Sequence, residues 1–187
     1  MKTSIQQIAL TMIAAIALFA FTGCNTVQTA QDQLNMVATN YRVNLSKDML
    51  RVSDVYATYL DVAGKSVTEK ISSTRWVRTT PPQEIPLQRG ISLAFKVKPD
   101  SEIPNNKSFD LKCEVSVNGA DEANYNYSAT PIDSKGRNVT KDQVRRFLEE
   151  KGKDATYGFT IGLFPLDKSQ FGIRWAPELA PQARIIQ

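Results

Sequence analysis

Histidine is absent from all 187 residues, so any chemistry falls to cysteine, carboxylate, serine, lysine and aromatic side chains. Imidazole alone titrates near neutral pH without perturbation, and its absence removes Ser–His and Cys–His pairs together with imidazole metal sites. Serine with lysine, or two carboxylates as acid and base, would still work, but no motif gathers them. Glu149 and Glu150 are helix neighbours that point different ways, while Asp100 with Glu102, and Asp121 with Glu122, fall in turns where solvation explains them. Asp100, Glu102 and Asn105 offer oxygen ligands without the alternating acids and central glycine of a calcium loop. Gly158 and Gly162 stand inside a strand, not between a strand and a helix, which removes a phosphate loop. No catalytic residue, metal site or cofactor is therefore expected, and the chain reads as a non-enzyme.

Two kinds of feature remain. Aromatic residues fall on strand-like segments, and Trp76, between Arg75 and Arg78, is out of phase with Ile71. An arginine stacked on an exposed indole suits a binding edge, so Trp76, Arg75 and Arg78 form the candidate binding surface; burial between sheets is the competing reading. The second feature is cysteine. Cys113 lies in Leu111-Lys112-Cys113-Glu114-Val115-Ser116-Val117, where every second residue is apolar, and reads as a small core hydrophobe.

The elements that must position these residues are mostly strands. Tyr41 to Leu45, Asp54 to Val62, Ile91 to Val97, Ser108 to Val117, Asn124 to Thr130, Thr156 to Leu163 and Phe171 to Trp175 alternate or are β-rich. Ile91, Leu93, Phe95 and Val97 alternate with polar or small residues, which predicts a strand with one wet face. Val67 to Arg78 slips phase near Ser72-Ser73, as at a bulge or bend, and Pro81-Pro82 and Pro86 mark an extended, edge-like passage. Asn118-Gly119 is a turn signal. One helix interrupts the series at about 141–151: Thr140 and Gln143 fit a capping box, Val144, Phe147 and Leu148 form its stripe, and Gly152 is placed to end it. The pattern predicts a mainly β, two-sheet antiparallel sandwich, immunoglobulin-like or transthyretin-like, with barrel closure as the alternative. Gly158 and Gly162 would keep one sheet face shallow, so that the helix or another backbone can approach.

The N-terminus supplies an address. Lys2 is followed by the apolar run Ile8 to Phe21, which is of signal length and short of the roughly 20 residues a membrane span requires. Phe21-Thr22-Gly23-Cys24 directly behind it resembles the lipobox of bacterial lipoprotein precursors. That resemblance implies cleavage before Cys24, lipidation of its thiol and amine, and anchoring by several acyl chains, each buried methylene contributing about 0.8 kcal/mol. It also leaves Cys113 without an intrachain disulfide partner. Asn25 stands where an Asp would imply inner-membrane retention in such families, so the outer membrane is the implied home. The domain reading is a signal peptide at 1–23, a lipidated cysteine and polar tether at 24–40, and one β-domain at 41–187.

A formal net charge of +4, with basic residues scattered among acids, leaves no nucleic-acid footprint. The partners expected are the membrane, through acyl chains on Cys24, and another envelope protein docked on the domain. The alternatives weighed are a surface glycan or small-ligand binder, an inhibitor that plugs a cleft with the Pro99 to Lys107 loop, and, least of all, an enzyme.

Overall fold

Period-two patterning becomes two antiparallel sheets in the computed structural model, which describes residues 36–104, 109–118, 120–129, 139–153, 157–167 and 170–186. The leader, Cys24, residues 25–35 and Asn105 lie outside them, as do the side chains of Tyr125 and Tyr127. The strands are β1 (Met36–Leu45), β2 (Ser53–Leu60), β3 (Ser66–Ile71), β4 (Arg75–Glu84), β5 (Leu87–Val97), β6 (Phe109–Val117), β7 (Ala120–Ala129), β8 (Tyr157–Asp167) and β9 (Gln170–Ala176). One sheet runs β4-β1-β6-β7 and the other β3-β2-β5-β8-β9. Among the described residues each is open at both edges, so the architecture is a sandwich and not a closed barrel. No helix among the described residues is long and apolar enough to cross a membrane.

The core lies between the sheets. Tyr41 and Val43 from β1, Leu111, Cys113 and Val115 from β6, Ile91, Leu93 and Phe95 from β5, and Phe159 and Ile161 from β8 are all buried in one cluster. Cys113 is fully buried as the alternation predicts, and its thiol is pushed up to about 12, chiefly by desolvation.

Two α-helices decorate the strands among the described residues. α1 (Lys47–Val52) is a single capped turn and a half that the sequence reading passed over: Ser46 Oγ accepts from Met49 N–H, and Met49 and Val52 enter the core. α2 (Lys141–Lys153) is the expected helix. Its capping box is formed, with Gln143 N–H donating to Thr140 Oγ1 at 3.3 Å and Thr140 N–H donating to Gln143 Oε1 at 2.8 Å. Val144 and Leu148 are buried, and Phe147 is partly so. Gly152, expected beyond the helix end, instead lies in its last turn: a β-carbon there would meet the Phe95 carbonyl oxygen at 2.8 Å, so the missing side chain serves close packing.

Four further boundaries differ from expectation. β1 begins at Met36, so residues 36–40 belong to the domain and not to the tether; Val37 and Thr39 are buried and continue the alternation of Tyr41 and Val43. The phase slip at Ser72-Ser73 is a crossing between sheets, which puts β3 and β4 in different layers. β8 runs on past the alternation that ends at Leu163, through Pro165 to Asp167. The wet face expected of β5 is covered, because the tail after a 3-10 turn (Pro177–Leu179) crosses it: Thr160 Oγ1 donates to Leu179 O at 2.8 Å, Ser92 Oγ donates to Pro181 O at 2.5 Å, and Arg184 N–H reaches Thr58 Oγ1 at 3.3 Å. The backbone that approaches Gly158 is that of β5, with a β-carbon there falling 2.2 Å from Ile91 O.

Candidate functional site

Two of the three residues singled out by sequence, Trp76 and Arg78, meet on Glu69, at the open side where edge strand β3 of one sheet faces edge strand β4 of the other. Arg78 donates from Nε to Glu69 Oε1 at 2.9 Å and from Nη2 to Oε2 at 2.5 Å, a bidentate fork. Tyr59 OH donates to Oε1 at 2.7 Å, and Trp76 Nε1 reaches Oε2 at 3.3 Å. The arginine lies 5.6 Å from the indole centroid, and the aromatic series continues inward through Tyr59, 5.6 Å from Trp76, to Tyr41 at 5.3 Å. The Arg78 hydrogen bond, ahead of every other cause, holds the Glu69 carboxyl below its ordinary range.

This geometry leaves little free chemistry in the cluster. Both Glu69 oxygens are occupied, the indole is half-buried against the core, and Arg78 is committed to the carboxylate. The cluster fastens the two sheets at their margin. Arg75 is exposed on the same strand but joins none of these contacts. Trp76 and Arg78 are thus brought together with Tyr59, another of the strand aromatics, and with Glu69, which no sequence signal marks, while Arg75 is left apart.

Two other surfaces are more open. The first is a groove of about 620 Å³ between the end of β5, the C-terminal turn of α2 and the tail, lined by Phe95, Lys96, Val97, Glu149, Lys153 and Ile185. Neither Lys96 nor Lys153 is paired with an acid among the described residues, so the groove combines an apolar floor with two free cations. A neighbouring hollow of about 390 Å³ shares Lys96, Val97 and Ile185 and adds Lys70, Lys98 and Asp54; there Lys70 pairs with Asp54 at 3.0 Å. Nothing in the sequence pattern links these segments, which converge only because the tail folds over β5.

The second open surface is the β8–β9 hairpin. β7 packs over β8, so β9 extends one strand beyond the sheet above it. Trp175 shares the inward face with Ile161, its cross-strand partner, and stacks on Phe159 with ring centroids 4.5 Å apart. With no described strand packed over it, it stays 45% exposed. Phe164 covers Gly172 on the opposite face, and Phe164 and Leu166 are also exposed. Among the edges, β4 carries Pro81-Pro82 and β3 carries Glu69 and Lys70 in ion pairs, whereas β9 has Arg174 as its one charge. Prolines and charges are what protect edges from pairing, and β9 is the least protected of these three. The alternation Phe171, Ile173, Trp175 at the end of the strand series was the available signal; it marked a strand without revealing that it overhangs.

No group of three or more metal-binding acids or cysteines occurs among the described residues. No protein-family model matches the sequence, and no curated protein does.

Proposed function

We propose that this chain is a lipid-anchored lipoprotein of the bacterial cell envelope, most naturally of the outer membrane, whose sandwich is a non-catalytic module that docks onto another envelope protein. The single observation that carries the docking half is the β9 edge: an overhanging strand whose free side pairs with no other described strand, with little charge, and Trp175 with one face in the core and the other in solvent. Large aromatics of that kind dominate binding energies at protein interfaces, and an open edge offers main-chain hydrogen bonds to an added strand. The anchoring half is supported by Phe21-Thr22-Gly23-Cys24 behind its apolar run.

The two halves are tested separately. Substituting Cys24→Ser should move a protein of unchanged melting temperature from the membrane fraction to the soluble one, and continued membrane retention would remove the lipoprotein reading. Trp175→Glu in the anchored chain should abolish association with the partner while leaving the protein folded. A second reading, a glycan or small-ligand binder, is favoured by the groove at Lys96 and Lys153. Reversing both charges should abolish binding of acidic glycans if that reading holds.

A further inference from the structure

Arg89 sits on the inward face of β5, one step beyond Ile91 in the row that otherwise builds the core, and is 2% exposed. A buried cation ordinarily has a carboxylate beside it, because desolvation without an opposite charge is costly. Arg89 has none within ion-pair distance among the described residues. Its Nε donates to Thr39 Oγ1 at 2.9 Å, one terminal nitrogen donates to Gln88 O at 2.9 Å, and the other to Gln83 Oε1. Those three bonds go to neutral acceptors, and a guanidinium carries five N–H groups. Asp61 acts on it only at range: the two form no ion pair, and Asp61 Oδ1 accepts instead from the N–H groups of Ala63 at 2.9 Å and Lys65 at 2.8 Å. Burial pushes the guanidinium pKa down, the direction of a charge that lacks compensation.

The same side chain lines a hollow of about 310 Å³ at the end of the sandwich where β1 begins, together with Gln83, Gln88, Leu60, Val62 and Leu87. Gln83 stands across it, its amide nitrogen donating to Val62 O at 2.8 Å while its oxygen faces Arg89. A planar fork with two N–H groups to spare matches the two oxygens of a carboxylate. The single fixed cation, with Glu84 also lining the hollow, favours one negative charge over two. Leu60, Val62 and Leu87 offer a short apolar lining, and the volume is at the lower end of small-ligand pockets.

We propose that the Arg89 hollow is a binding site for a small monocarboxylate with a short apolar tail, whose carboxylate pairs with the guanidinium as the Gln83 amide swings aside. The site is distinct from the β9 edge and the lysine groove and does not depend on how the chain is anchored.

The test uses the full chain in detergent, with acetate or butyrate replacing chloride at constant ionic strength. The melting temperature should rise saturably with either, and butyrate should bind about tenfold more tightly, the increment that two buried methylenes carry. Inorganic phosphate should give no rise beyond that of chloride. Arg89→Lys, which keeps the charge but not the fork, should lose the response, and Gln83→Ala should keep it. In case Arg89→Lys fails to fold, the Arg89 Nε–Hε resonance of the unaltered protein is followed by NMR during the same titrations and should move with butyrate. An unmoved resonance at tens of millimolar butyrate, or a thermal response equal for butyrate, acetate and phosphate, overturns the proposal.

Discussion

Replacing Glu69 by Gln removes the charge on which Arg78, Tyr59 and Trp76 converge while keeping the size of the side chain. The ion pair itself contributes modestly: Arg78 is 50% exposed and Glu69 26%, and solvent screening holds pairs of that kind to under about 1 kcal/mol. The bonds from Tyr59 and Trp76 to a charged acceptor add on the order of 1.5 kcal/mol together, part of which the glutamine oxygen retains. The expected cost of Glu69→Gln is about 1–2 kcal/mol at neutral pH, or about 3–6 °C in melting temperature for a domain of this size. Acid supplies the discriminating arm. The folded-state pKa of Glu69 is depressed, so its stabilisation is complete above the unfolded pKa and is lost as pH falls through the lower folded value. The gap between the unaltered protein and Glu69→Gln should therefore be full at neutral pH and close on acidification, as read by thermal unfolding followed by circular dichroism over a pH series. No gap at neutral pH, or one that persists undiminished in acid, would refute the view that the Glu69 charge fastens β3 to β4.

Three further outcomes follow from the packing. Trp76→Ala should cost about 2 kcal/mol, less than a fully buried tryptophan because the ring is half-buried, and should lower the melting temperature without weakening partner capture. Gly158→Ala places a β-carbon 2.2 Å from Ile91 O and 2.5 Å from Ser92 Cα, where backbone must move, and should cost about 3 kcal/mol or more; Gly162→Ala, whose nearest neighbour is Arg174 Cβ at 3.9 Å, should stay within about 0.5 kcal/mol, both measured by urea unfolding. The Cys113 thiol, raised to about 12 by burial, should resist aromatic disulfide reagents at mildly alkaline pH in the folded protein and react promptly once it is denatured.

Much of the fold was legible because its strands are half-buried and so alternate strictly. Cys113 could be placed among Leu111, Val115 and Val117 from spacing alone, and the α2 start could be read from Thr140 and Gln143 because a capping box is a local bargain between neighbours. What escaped was non-local. The face of β5 that carries Ser92 and Ala94 looks wet in sequence, and it is buried by Pro181, some ninety residues later. Met36 to Asn40 is polar enough to read as tether, yet β4 and β6 flank it on either side and give its backbone partners. α1 is too short to show a period and is defined by Ser46 and two core contacts.

The candidate site was only partly visible for the same reason. Trp76 with Arg78 was recoverable because the two residues stand two apart on one strand. Glu69, which organises them, comes from the opposite sheet, and no pattern in the sequence announces that β3 and β4 lie on different layers. The Arg89 hollow was hidden more completely, since an arginine in the inward row of a strand reads simply as a break in the apolar pattern at its end.

The most direct test of the account keeps Trp175 and places a photo-reactive amino acid at the exposed position 174 beside it on β9, and in a second strain at position 77 on β4, of the anchored chain in living cells. Docking through the overhanging edge predicts one abundant cross-linked envelope protein from position 174, absent from position 77 and lost in the Cys24→Ser form. No cross-link from position 174, or the same product from both positions, would contradict it.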